Sequence, residues 1–406
     1  MTYNSRETTF SLRRRWERVL YHVVLGVGCG SVVVGTVLLA SLGARAQESC
    51  VWHDQSKHRV QFVTIENGVQ LEVLDWGGSG RPIVLLAGSG NTAHVFDDFA
   101  EKLSGTCCHV YGITRRGYGV SSHPDSGYTE QRLADDVLQV LESLKIVKPV
   151  LVGHSAAGEE LTRLGDEHSD RIAGLVYLDA VSDPTDFPAS SPAYMALFQK
   201  LPEAMRTPPP YSTSDSKSFQ AYRDWQVRSG EPPRPEAELR NSFECNPDGS
   251  VGKFRFTQHI HEAIGAGAQK RDYSKIRVPV LAFFPSAGGK PQYVPKDDQE
   301  RAAIAEFDAA TAVYIGRWKQ NLQNAAAVVR IVDLPGANHY IFLSNQADVL
   351  RELHAFLEGL PELESYQSPT NAKTHLSKKL NPDVRVAIRI ADYSPRTGPS
   401  PPQLNF

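Results

Sequence analysis

Several features that would narrow the chain's role at once are missing from it. There is no excess of charge of either sign. Lys and Arg number 43 against 46 Asp and Glu, a formal net charge of −3. That balance supplies neither the basic field that nucleic acid demands nor a strongly acidic field for cationic partners. Only five cysteines occur in 406 residues, and none forms a Cys-x-x-Cys pair, so no thiol zinc site is expected. No internal repeat is found. No Asp, Glu, Lys or Arg occurs in residues 19–44. What is present is ordinary for a globular protein: 41% hydrophobic and 22% charged residues, enough to build a sizeable core.

The uncharged run is preceded by "SLRRRWERVL", with Arg13, Arg14, Arg15 and Arg18, and ends in small residues at Ala44 and Ala46. A basic stretch, an apolar segment and an A-x-A site describe a secretory signal over residues 1–46. An uncleaved membrane anchor through residues 19–44 is the alternative. The run exceeds the roughly 7–15 residues of a usual signal core and reaches the ~20 needed to span a bilayer. Gly26, Gly28, Gly30, Gly35 and His22 weaken it as a stable helix, and the A-x-A site favours cleavage and export to the periplasm or beyond. Arg13-Arg14 before Trp16 has a trace of a twin-arginine signal, from which Glu17 departs. Export permits disulfides. Cys29 lies in the signal, leaving Cys50, Cys107, Cys108 and Cys245. Cys107 and Cys108 are adjacent in an expected strand, where successive side chains face opposite ways. At most one of them would easily meet Cys50, and both otherwise read as small buried hydrophobes.

From residue 47 the chain alternates strand and helix signals. "RVQFVTIENGVQLEVLDWG" reads as a hairpin turning at Asn67-Gly68. "PIVLLAG", "CHVYGI", "KPVLVGHS" and "IAGLVYLDA" are apolar runs of strands buried on both faces. Helical spacing appears between them, in "TAHVFDDFAEKL", "EQRLADDVLQVLESL" and "GEELTRLGDEHSD". The predicted fold class is α/β: a mostly parallel central sheet flanked by helices, with an antiparallel hairpin at its start. The first part of this core spans residues 47–183. Residues 184–272 break the rhythm with proline-rich and polar stretches and short helical pieces, and are expected to form an inserted helical lid. The core resumes over 273–360 with "IRVPVLAFF", a long helical segment, "AVVRIVDL" and a last helix. Residues 361–406 read as a disordered tail, although "VRVAIRIAD" within it alternates like a strand.

The chemistry centres on "VLVGHSAAGEEL". Ser155 sits at a strand-to-helix junction with small residues two positions away, Gly153 and Ala157. A serine on such a sharp turn projects from the carboxyl edge of the sheet. A lone serine there is more often a helix cap. A base candidate changes the balance: His339 in "LPGANHYIFLSN" follows the last strand and lies at the same edge. The other histidines are weaker candidates. His154 must point away from Ser155. His259 and His261 form an H-x-H pair without further ligands. His94 lies near the loop after "PIVLLAG" and is expected to line the pocket. The acid is open. The loop after "VPVLAFF" has no carboxylate before Asp297 and Asp298. Asp179, at the tip of "LVYLDAVSD" on the strand expected beside that of Ser155, is the first choice, with Asp297, Asp298 and Asp183 as alternatives. The oxyanion site would use the backbone N–H groups of Ala156 and of Ser89, the latter flanked by Gly88 and Gly90.

Taken in order, "LLAGSGNTAHVFDDFA", "GITRRGYGVSS", "VLVGHSAAGEE", "LVYLDA" and "GANHYIFL" resemble the α/β-hydrolase fold superfamily in its serine-hydrolase, esterase- and lipase-like branch, over about residues 60–360. Ala157 departs from the last glycine of the usual G-x-S-x-G pattern, and Ala87 stands where relatives often carry histidine. The resemblance implies acyl transfer to water from a small-molecule acyl substrate, with no cofactor and no metal. Two other classes stay open: a ligand sensor on the same fold with little turnover, and a membrane-tethered, non-catalytic module. Substrate, acyl chain length and oligomeric state are not set by the sequence.

Overall fold

The computed structural model describes residues 50–66, 68–186, 188–256, 258–266, 269–285 and 293–361. The expected signal or anchor, the tail beyond residue 361 and its strand-like "VRVAIRIAD" lie outside these.

The hairpin opens the fold: β1 (Arg59–Glu66) pairs antiparallel with β2 (Val69–Gly77). Next come β3 (Arg81–Leu86), helix α1 (Asp97–Ser104), β4 (Cys108–Ile113), α2 (Glu130–Ser143), β5 (Val150–His154), α3 (Gly158–Glu167) and β6 (Gly174–Leu178). The expected helix "TAHVFDDFAEKL" is split. Residues Ala93–Phe96 form a tighter 3₁₀ turn, and the α-helix starts only at Asp97. The insertion brings short helices: α4 (Pro192–Lys200), α5 (Glu203–Arg206), α6 (Thr213–Ser216), α7 (Phe219–Arg228) and α8 (Glu236–Ser242). It is not purely helical, because a ribbon of β7 (Phe243–Cys245) and β8 (Val251–Phe254) precedes α9 (Gln258–Ala266). The core resumes with β9 (Val280–Pro285), the 28-residue α10 (Asp298–Ala325), β10 (Val329–Leu334), α11 (Ile341–Ser344) and α12 (Gln346–Glu358).

Eight strands form one sheet in the order β1-β2-β4-β3-β5-β6-β9-β10. β4, β3, β5, β6, β9 and β10 run parallel. Alternate side chains of the same strand feed two separate cores. Leu151 and Leu175 pack on one face, while Val150, Val152 and Val176 pack on the other. That explains the uninterrupted apolar runs, since a strand covered on both sides has no polar face to show. The edge strand β1 alternates exposed and buried residues towards its end instead.

The strand register sets the level of the sheet's carboxyl edge. His154 pairs with Leu178 and Leu178 with Phe283, so β5 and β6 end at one level while β9 runs on to Pro285. The residues after the first two of these strands, Ser155 and Asp179, therefore stand side by side at that edge. Among the described residues no helix is long and apolar enough to cross a membrane.

The cysteines depart from expectation. Cys50 is bonded to Cys245 in the insertion ribbon, and Cys107 to its neighbour Cys108. Strand alternation does not separate the adjacent pair because β4 begins only at Cys108, so Cys107 lies in the preceding turn.

Three residues past the serine, Gly158 opens α3 with no spare space. A Cβ there would lie 1.9 Å from the Ala180 carbonyl oxygen. Gly158→Ala should therefore destabilise the fold by about 1–3 kcal/mol through overpacking. Gly316→Ala, in open space on α10, should stabilise by roughly 0.4–1 kcal/mol. Urea unfolding of the two variants checks both signs; a Gly158→Ala protein as stable as the parent would refute the overpacking.

Candidate active site

The step from β5 to α3 is strained. Ser155 has φ +53°, a left-handed conformation unusual for a residue with a side chain. The turn is tight enough that a Cβ on Gly153 would meet Leu161 at 2.8 Å and Ala157 Cβ at 3.1 Å. Ala157 is thus tolerated at the position where the usual pattern has glycine. Gly158 is the more tightly restricted position, since a Cβ there would meet the Ala180 carbonyl oxygen at 1.9 Å. This bend aims the Ser155 hydroxyl off the sheet edge rather than into the helix.

Asp179 ends β6 in the same kind of conformation, with φ +48°. Its backbone N–H donates to Phe283 O on β9, which holds the bend against the neighbouring strand. His339 comes from the loop after β10. The structure brings these three side chains into line. Ser155 Oγ lies 3.0 Å from His339 Nε2, and His339 Nδ1 lies 2.5 Å from Asp179 Oδ2. The imidazole is half exposed. Burial lowers its pKa, but the hydrogen bond and charge of Asp179 outweigh that, so the net shift is upward from 6.5.

His154, set apart from the hydroxyl of Ser155, has a supporting role. It is buried and donates from Nε2 to the backbone carbonyl of His339 at 3.1 Å. Burial first, then the charge of His339, holds its pKa well below the usual histidine range. A neutral, donating ring thus pins the base loop to the end of β5.

The other acids lie elsewhere. Asp297 caps α10 by accepting from the Glu300 N–H, Asp298 pairs with Arg301, and Asp183 accepts from Thr185. None of the three carries a hydrogen bond to His339. His94 does not line the pocket as expected. It is buried against Glu72, because the turn carrying it rolls inward beneath the loop. His259 and His261 sit on α9 in the insertion, and His261 Nδ1 meets Ser89 Oγ at 3.2 Å.

The expected oxyanion loop abuts the serine. A Cβ on Gly88 would lie 3.0 Å from Ser155 Cβ, and Gly90 turns with φ +77°. Ala87, just before the loop, is held from below. Arg115 donates to the Ala87 carbonyl at 3.0 Å while its guanidinium pairs bidentately with Glu160 of α3 at 2.6 and 2.8 Å. From above, the buried Glu238 of α8 accepts from Asn91 Nδ2 and from the Thr92 N–H and hydroxyl. Burial raises the Glu238 pKa, and the Thr92 and Asn91 hydrogen bonds only partly oppose it. Tyr340, next to the base, donates to Asn91 Oδ1 at 3.0 Å and lies under the Arg234 guanidinium. The roles of Asn91, Glu238, Tyr340 and Arg234 carry no signal in the sequence, where nothing local marks a partner 147 or 249 residues away. A cleft of about 530 Å³ lies between residues 227–233 and residues 336–345, lined by Asn338 but not by Ser155, His339 or Asp179.

Such a line can move a proton from a hydroxyl to an imidazole while a carboxylate stabilises the resulting cation. The profile of the alpha/beta hydrolase family matches residues 83–352. Epoxide hydrolase A of Mycobacterium tuberculosis is 31% identical over 121 residues, 29% of this chain and 38% of that protein. The sn-1-specific diacylglycerol lipase ABHD11 of Xenopus laevis is 29% identical over 149 residues, 36% and 46% of the two chains. The matched stretch thus spans less than half the length of either relative. The crystal structure of E-2-(acetamidomethylene)succinate hydrolase superposes with a TM-score of 0.51 at 19% identity, covering 74% of this chain and 100% of that one. That likeness concerns the fold alone.

The direction of the His339 shift sets a pH dependence. The base is neutral only above its raised pKa, so the acid limb of kcat/KM should have its inflection above 6.5. In Asp179→Asn the inflection should move to lower pH and the rate should fall by roughly 10⁴. Hydrolysis rates measured from pH 5 to 9 check both; an inflection that does not move on this substitution would dissociate Asp179 from the base.

Proposed function

The chain belongs to the alpha/beta hydrolase family, and within it we propose a serine hydrolase that cleaves a carboxylic ester, or a related acyl compound, through an acyl-enzyme on Ser155. One observation carries the reading: a serine on a strained strand-to-helix turn, 3.0 Å from an imidazole whose other nitrogen meets a carboxylate.

In this mechanism His339 Nε2 takes the Ser155 proton as Oγ attacks the ester carbonyl. The negative charge that develops on the carbonyl oxygen is met by the N–H groups of Ala156 and Ser89. Asp179 orients the ring and stabilises the imidazolium, which then protonates the leaving alcohol. Water, activated by the same imidazole, releases the acid and restores Ser155. No step calls on a metal or a cofactor. An aspartate nucleophile is disfavoured because the residue on the strand-to-helix turn is Ser155. We place the enzyme outside the cytoplasm, as the N-terminal segment suggests and where the Cys50–Cys245 bond would persist.

Ser155→Ala should lower kcat on p-nitrophenyl esters by roughly 10⁴–10⁶ and abolish labelling by a fluorophosphonate. Near-native turnover by this variant would end the proposal. Rapid acylation of the parent protein without steady-state release would instead favour a ligand sensor, and inertness to the fluorophosphonate a non-catalytic module.

A further inference from the structure

A second polar cluster shares no residue with the proposed hydrolytic machinery. It joins Asp54 and His58, which precede β1, to His94 and Asp97 of the turn entering α1. One nitrogen or oxygen from each of these four side chains lies within 4.8 Å of the others. Both carboxylates are half used. Asp54 Oδ1 accepts from the Ser56 N–H, while Oδ2 lies 3.4 Å from His58 Nε2 and 3.7 Å from His94 Nδ1. Asp97 Oδ1 accepts from His58 Nδ1 at 2.8 Å and from the Trp76 indole at 3.2 Å, while Oδ2 lies 3.6 Å from His94 Nδ1.

The two His94 separations, 3.6 and 3.7 Å, are too long for hydrogen bonds. His94 Nδ1 and Asp97 Oδ2 are buried with no hydrogen-bond partner among the described residues. The side chains of His94, Asp97 and His58 are all at least 95% buried. Ligand atoms about 2.0 Å from a tetrahedral ion stand ~3.3 Å apart; three of the six pairs here lie at 3.4–3.7 Å, and all six lie within 4.8 Å. The surroundings match as well. His94 Nε2 lies 3.3 Å from the buried Glu72, the outer carboxylate that fixes a ligating imidazole. Glu72 in turn accepts from Thr114 at 2.7 Å.

We infer that Asp54 Oδ2, His58 Nε2, His94 Nδ1 and Asp97 Oδ2 form a structural site for one zinc-class divalent ion. Mixed imidazole and carboxylate donors in fourfold array suit zinc, and four protein ligands leave no position for catalysis. The ion would clip residues 54–58 to the turn beyond the Gly88–Thr92 loop. In the sequence only the His259–His261 pair stands out by spacing, and nothing marks the present four residues as ligands. The four residues proposed here come from two segments some 40 positions apart. The inference does not depend on Ser155 being a nucleophile.

The test uses the full chain, stripped with a chelator, dialysed into zinc-free buffer and titrated with zinc chloride by calorimetry and elemental analysis. Thermal unfolding is followed in parallel. The parent protein should take up one zinc per chain and its Tm should rise with zinc. Asp54→Asn keeps the acceptor for the Ser56 N–H at the rim of the site, and should lose both effects. Glu72→Gln should weaken binding about 10–100-fold, and His259→Ala should leave it unchanged. Cobalt(II) should give the visible absorption of a four-coordinate ion in the parent but not in Asp54→Asn. No stoichiometric zinc in the parent, or equal affinity in Asp54→Asn, would overturn the assignment.

Discussion

Everything at the carboxyl edge depends on a backbone bend that an ordinary residue resists. Holding Ser155 at φ +53° costs of order 1–3 kcal/mol, so the surroundings must enforce it. Gly153, Ala157 and Gly158 give the turn room, and Leu161 and Leu164 of α3 bury against the sheet and fix the helix beyond it. On the next strand Asp179 is bent the same way at the same level. The imidazole then has a hydroxyl on one side and a carboxylate on the other. The parallel register of β5, β6 and β9 makes that alignment available before any polar contact forms.

The loops bearing the donors and the base are braced from several directions. Arg115 and Glu160 hold the strand end from within the core. His154 secures the base loop by its carbonyl. Glu238 reaches down from the insertion to Asn91 and Thr92, and Tyr340 closes the circuit. Buried polar groups of this sort are stable only when each finds its partner. The insertion is thereby coupled to the position of the Gly88–Thr92 loop rather than merely draped beside it.

Much of this is legible in the sequence because it is local. The buried strands announce themselves as apolar runs, and the serine and histidine each sit where a strand signal gives way to a helix. Asp179 can be chosen over Asp297 by asking which strand tip neighbours that of Ser155, a question of topology rather than composition. The illegible parts are those fixed by distant pairing. Cys245 has no mark that points to Cys50, and Glu238 none that points to Asn91. The loop position of His94 suggests the pocket, whereas the 3₁₀ turn at Ala93–Phe96 rolls it inward. Cys107 is misread by extending a strand one residue too far.

The covalent intermediate proposed on Ser155 gives the most direct measurement. The enzyme is mixed with an activated ester, quenched in acid within the first turnovers, digested and analysed by mass spectrometry. The peptide containing Ser155 is expected to be heavier by the acyl group and to return to its native mass as substrate runs out. Steady hydrolysis with the acyl group on another residue, or with no adduct on Ser155 at any quench time under conditions that trap it in known serine esterases, would contradict the assignment.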